Sequence, residues 1–161
     1  KSIILLCEHN KTGSMGLILN KPMLTDQNKS LFLDKMFNDK KIVSKIYFGG
    51  PVNLNTCFIL HDSNYLTRET IQISEELSIT SSNKIIHDLK KGQGPSTYRL
   101  NIGYAGWSSG QLEEEIQNGD WLLTPAPSDF IFKVPDEKMW AKSTENLGLN
   151  IQDICGQSGS A

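Results

Sequence analysis

An α+β domain is the fold class the sequence predicts, on three observations. Apolar runs of strand length recur at short intervals, the links between them are hairpin-sized, and helical periodicity enters irregularly rather than after every strand. The 161 residues are enough for one sizeable core and too few for two. Residues 1–161 therefore read as a single domain. The chain opens directly on a strand without a methionine or leader, so the native N-terminus is expected further upstream. The small polar residues 155–161 are expected to form a flexible tail.

Ile3, Ile4, Leu5, Leu6 and Cys7 make the first strand. Five apolar residues are too few for a secretory core of about 7–15 or a membrane helix of about 20. A polar turn over 8–13 and a second apolar run over 15–19 complete a hairpin, which Asn20-Lys21-Pro22 ends. Leu31, Phe32 and Met36 have helical spacing within 26–39. Strands follow over 42–48 and 56–60, broken by Gly49-Gly50-Pro51 and then by a turn over 61–64. Ile71 and Ile73 alternate as a half-buried strand. Ser81 or Ser82 is placed to cap a helix presenting Ile85, Ile86 and Leu89, which Gly92-Gln93-Gly94-Pro95 closes. Tyr98, Leu100 and Ile102 alternate as a strand, and short strands are expected at 121–123 and 130–134. Pro135-Asp136 opens a last helix containing Met139 and Trp140.

The stretch GYAGWSSGQLEEEI over 103–116 carries the densest pattern. Ser108 and Gln111 have capping-box spacing, Glu113 and Glu114 suit a helix N-terminus, and Leu112 and Ile116 share one face before Asn118-Gly119 stops the helix. A phosphate at that helix start would meet these carboxylates, and no P-loop lysine is present. The serines do not have Gly-x-Ser-x-Gly spacing, and the glycines do not form a Gly-x-Gly-x-x-Gly fingerprint.

Sixteen basic and 18 acidic residues give a net charge of −2. Lysine clusters occur at Lys40-Lys41-Lys45 and Lys84-Lys90-Lys91, but there is no basic tail or stripe, so direct nucleic-acid binding is not favoured. Cys7, Cys57 and Cys155 are an odd number without metal-type spacing, which points to free thiols in a reducing, cytoplasmic setting. No pattern for a metal or an organic cofactor is present. Cys7, His9 and His61 are the residues through which a thiol- or histidine-dependent enzyme would work. A buried inert thiol and hydrogen-bonded histidines are the simpler reading.

Three groups of residues resemble signatures of the bacterial AlgH/YqgE family. The first is Glu8-His9-Asn10 with Gly13 to Leu17 and Asn20-Lys21-Pro22. The second is Gly49-Gly50-Pro51-Val52 with Phe58-Ile59-Leu60-His61. The third is Gly103-Tyr104-Ala105-Gly106-Trp107 with Gly110-Gln111-Leu112-Glu113 and Trp121-Leu122. The resemblance runs in register from residue 1 to about residue 148. It implies a compact domain with a bifurcated, barrel-like sheet flanked by helices, no established reaction or cofactor, and an attached role in transcriptional regulation that lacks a DNA-binding motif. Family members usually begin with a further strand and a Pro/Asp-containing loop, and their section equivalent to 25–45 is shorter and less lysine-rich. The resemblance suggests that Asn20, Gly49, Gly50, His61 and Trp107 converge in a polar and aromatic cleft for a peptide or small ligand. The function expected is non-enzymatic binding or regulation through a protein or peptide partner.

Overall fold

The structure, a computed structural model, describes residues 1–23 and 45–149. The helix expected within 26–39, Cys155 and the tail at 155–161 lie outside the described residues. Strands β1 (Ile4–Asn10) and β2 (Gly13–Ile18) form the hairpin. It is tighter than the sequence suggests, with Asn10 opposite Gly13. Asn10 closes this turn, its Oδ1 accepting from the amide and the hydroxyl of Thr12 at 2.8 and 2.6 Å.

Strands β3 (Ile46–Phe48), β4 (Val52–Asp62), β5 (Thr70–Gln72), β6 (Leu77–Thr80) and β7 (Tyr98–Ser108) complete a sheet of seven strands among the described residues. The order is β1-β2-β7-β4-β6-β5, with β3 beside β7. Strand β7 is the fork. One of its edges pairs with β4, while the other runs parallel to β3 from Leu100 to Ile102 and antiparallel to β2 from Ala105 to Ser108. Gly49 and Gly50 leave β3 at this fork. The Gly49 amide donates to Ile102 O and the Gly49 carbonyl accepts from Ile18 N, both at 2.8 Å, so the fork is stitched by backbone alone. The sheet curls into a half-barrel flanked by short helices, an α+β fold.

Two apolar clusters lie on opposite faces, because successive strand residues point to opposite sides. Leu60 joins Leu5, Leu17, Ile79, Phe130, Ile131 and Met139 in one, and its neighbour Ile59 joins Ile46, Leu100, Ile85 and Ile86 in the other. The second face is covered by α1 (Asn83–Lys90), which buries Ile85 and Ile86. Ser82 stands at its N-cap position, but its hydroxyl makes no cap bond.

Four expectations are corrected. Residues 130–134 are not a strand: 130–133 belong to α3 (Ser128–Lys133), and Val134 follows it as the C-cap. Phe130 and Ile131 are adjacent yet enter one core cluster, which a strand does not permit, and Asp129 bridges Lys133 across a turn at 2.8 Å. Residues 121–123 are non-strand chain. His61 does not begin a turn, because β4 continues to Asp62 and the carboxylate of Asp62 then accepts from the amides of Asn64 and Thr97. Finally, Ser108 ends β7 rather than capping α2 (Gln111–Gln117), whose N-cap is Gly110 at φ 78°. Half of the expected capping box survives, since the Ser108 amide donates to Gln111 Oε1 at 2.9 Å. Ser108→Ala should therefore change the unfolding free energy by less than about 0.5 kcal/mol. Gly110→Ala should cost about 1–2 kcal/mol for the left-handed backbone. The reverse ranking in urea unfolding would restore Ser108 as the cap.

The expected last helix is present, as a 3-10 turn (Asp136–Lys138) leading into α4 (Met139–Asn146). Among the described residues, no helix is long and apolar enough to cross a membrane.

Candidate functional site

Trp107, near the end of β7, is half-buried and donates through Nε1 to Glu115 Oε2 at 2.9 Å. Glu115 sits on α2. Trp121, just beyond that helix, donates to the same oxygen at 2.6 Å. Gln111, one turn before Glu115, donates to its other oxygen at 2.9 Å. The bonds from Trp121, then Gln111 and Trp107, hold the Glu115 carboxyl below its ordinary range. One carboxylate thus fixes two indoles, which meet edge to face at 5.9 Å between centroids.

Those two rings wall a groove of about 580 Å³ whose other side is Trp140 on α4, so all three tryptophans of the chain line it. Ile4 and Leu6 of β1, together with Leu122 and Leu123, supply more apolar lining. Leu6, Leu122 and Leu123 are 37%, 56% and 66% exposed, unusual for side chains grouped around one concavity. Thr124 Oγ1, Trp140 Nε1 and Ser143 Oγ, all from lining residues, are buried without a hydrogen-bond partner among the described residues.

Among the described residues, strand β1 is the terminal strand of the sheet. Ile3 turns its polar groups toward β2, its amide donating to Asn20 Oδ1 at 2.9 Å and its carbonyl accepting from Leu19 N at 2.8 Å. By strand alternation, the backbone groups of Ile4 and Leu6 point away from β2, toward the groove. Among the described residues, the groove therefore joins a strand edge without a partner strand to an aromatic wall.

Of the five residues expected to form a cleft, Trp107 lines this groove and the other four are not among its lining residues. Asn20 secures the start of β1, its Nδ2 also donating to Lys1 O at 3.2 Å. Gly49 and Gly50 are buried at the sheet fork. His61 is fully buried. Its Nδ1 lies 2.6 Å from Asp62 O and so carries the proton, while Nε2 accepts from Thr80 Oγ1 at 2.9 Å. Burial lowers the His61 pKa and keeps the ring neutral.

Cys7, His9 and His61 have separate partners. Cys7 donates to Leu5 O at 3.5 Å, and burial pushes the thiols of Cys7 and Cys57 up to about 12. His9 Nδ1 lies 2.7 Å from Ser14 Oγ, and its Nε2 lies 3.6 Å from Glu113 Oε1. This serine–histidine–carboxylate line has the composition of a hydrolytic triad. Ser14 is only 8% exposed, between β1 and β7, and the line ties the hairpin to α2. Among the described residues, no group of three His, Cys, Asp or Glu is placed to hold a metal ion. Cys7 and Cys57, both free thiols, should resist iodoacetamide at pH 8 in the native protein and react on unfolding. Native labelling of either within minutes would contradict their burial.

The tryptophan groove was only partly accessible to sequence reasoning. Trp121 stood within a signature, but Trp140 and Glu115 carried no motif. The useful signal was the small number of tryptophans and a glutamate placed to reach two indoles.

A family model described as AlgH-like matches residues 1–152. The UPF0301 protein of Shewanella loihica is 37% identical over 164 residues, covering 100% of this chain and 89% of that protein. The UPF0301 protein of Marinomonas sp. is 36% identical over 160 residues, covering 98% and 85%. The solution structure of AlgH from Pseudomonas aeruginosa matches with a TM-score of 0.79 and 31% identity, covering 100% of this chain and 86% of that one. A crystal structure of a Corynebacterium diphtheriae protein shares the fold, at a TM-score of 0.67 and 22% identity over 88% of this chain and 74% of its own. On this sequence coverage and shared fold, the chain belongs to the AlgH-like, UPF0301 family.

Proposed function

We propose that this chain is a non-enzymatic binding protein whose groove takes an extended, apolar segment of a protein partner. The observation that carries the reading is the open edge of β1 running along a groove lined by all three tryptophans. An extended segment meets both demands of that surface. Its backbone satisfies the outward amides and carbonyls of Ile4 and Leu6, and alternate side chains reach the indoles and Leu123. Trp107 and Trp121, held by Glu115, are rigid contacts that lose little freedom on binding. The regulatory role attached to the family would then act through a protein contact rather than through DNA. A cytoplasmic setting is consistent with the two buried free thiols.

Selection from a displayed library of random heptapeptides tests this reading. Alternating apolar residues should be enriched, and Leu123→Asp should weaken the selected peptides by at least about tenfold, as expected for losing a buried apolar contact. Enrichment without that pattern, or binding indifferent to Leu123→Asp, would refute it. The Shewanella and Marinomonas relatives extend beyond the matched region, which covers 89% and 85% of them. If a polypeptide extended to that length no longer binds the peptides, the groove is closed by its own flanking residues, and the partner reading falls.

A further inference from the structure

We propose a second site, a phosphate-binding pocket at the opposite end of β7 from Trp107, lined by residues other than those of the tryptophan groove. A cavity of about 450 Å³ is lined by Lys45, Arg99 and Lys133 against the single carboxylate of Asp136, with Tyr98 and Phe132 beside them. Arg99 is the centre of the site and is only 7% exposed. Its Nη1 donates to Leu19 O at 2.8 Å and its Nη2 to Asp136 Oδ1 at 3.0 Å. A guanidinium has five N–H donors, so three have no protein acceptor among the described residues. One face of the guanidinium is covered by the Tyr47 ring at 4.4 Å, which fixes its plane.

Asp136 opposes an incoming anion, but its charge is already shared. Besides Arg99, it accepts from Tyr47 at 3.1 Å and pairs with Lys45 at 3.1 Å. Lys133 stands at the rim, paired with Asp129 at 2.8 Å, and is exposed enough to turn inward. A phosphate offers several acceptor oxygens and nearly two negative charges, which suits fixed guanidinium donors between two lysines. Tyr98 and Phe132 leave room for an aromatic group carrying that phosphate, so the ligand class is a phosphate monoester.

The test is a titration of ¹⁵N-labelled chain with inorganic phosphate and with phenyl phosphate, at constant ionic strength set by chloride. Saturable shifts at Arg99 Nε and at the amides of Thr97 and Lys133 are expected, with phenyl phosphate the tighter ligand. Lys45→Ala and Lys133→Ala each remove an ammonium on a mostly exposed side chain, so the fold is retained and affinity should drop about tenfold. Equal shifts with chloride alone, or unchanged affinity in the Lys45→Ala/Lys133→Ala double variant, would overturn the site. Acetate saturating as tightly as phosphate would overturn the assignment to phosphate.

Discussion

Replacing Asp136 by alanine is expected to destabilise the protein by about 3–5 kcal/mol, the range for removing one partner of a buried ion pair. Asp136 and Arg99 are both more than nine-tenths buried and meet at 3.0 Å. Without the carboxylate, the guanidinium keeps Leu19 O but loses its counter-charge, and the Tyr47 hydroxyl loses its acceptor. Lys45 contributes little to this total because it is 68% exposed. The pair also ties the 3-10 turn before α4 to β7, so its loss should loosen the helix that carries Trp140. Asp136→Asn keeps an acceptor and should cost less. Urea denaturation of the two variants checks the ranking, and equal midpoints for Asp136→Ala and the unaltered protein would contradict it.

Gly50→Ala should have a comparable effect through the backbone. Gly50 has φ 152°, which side-chain-bearing residues rarely adopt, and a Cβ there would strike the backbone of Tyr104 and Ala105 in β7. Strain of this kind costs about 1–3 kcal/mol. Displacing a strand that cannot yield adds about 1–3 kcal/mol. The damage lies at the fork, where β7 passes from pairing with β3 to pairing with β2. Amide exchange should therefore quicken at residues 104–106 before it does so in α1. Uniform loss of protection would show that the fork has no special role.

These two sites illustrate how far the sequence could be read. Two apolar runs around a polar turn made the hairpin legible, alternation did so for the first half of β7, and the glycine pair was visible as a break. Its use as a fork was not, because the partners of Gly49 and Gly50 come from β2 and β7, distant in sequence. Strand β6 escaped although Leu77-Ser78-Ile79-Thr80 alternates apolar and polar residues, because a run of four is short and Ser78 and Thr80 are buried along with Leu77 and Ile79. The Phe130-Ile131-Phe132 run favours a strand intrinsically, yet packing against Leu5, Leu17 and Met139 makes it a helix. In the groove, Trp107 was legible from its signature. Its companions Trp121 and Trp140 joined it only through the paths of α2 and α4. The proposed phosphate pocket was invisible for the same reason, since Lys45, Arg99 and Lys133 come from three separate parts of the chain.

The binding account rests on the open edge of β1, and amide hydrogen exchange at Ile4 and Leu6 tests it most directly. In the free chain these two amides should exchange fast, while those of Ile3 and Leu5, directed at β2, are protected. A saturating amount of a heptapeptide selected on the groove should slow exchange at Ile4 and Leu6 by at least about tenfold, as strand addition requires. Unchanged exchange at both amides with the peptide bound would contradict the account.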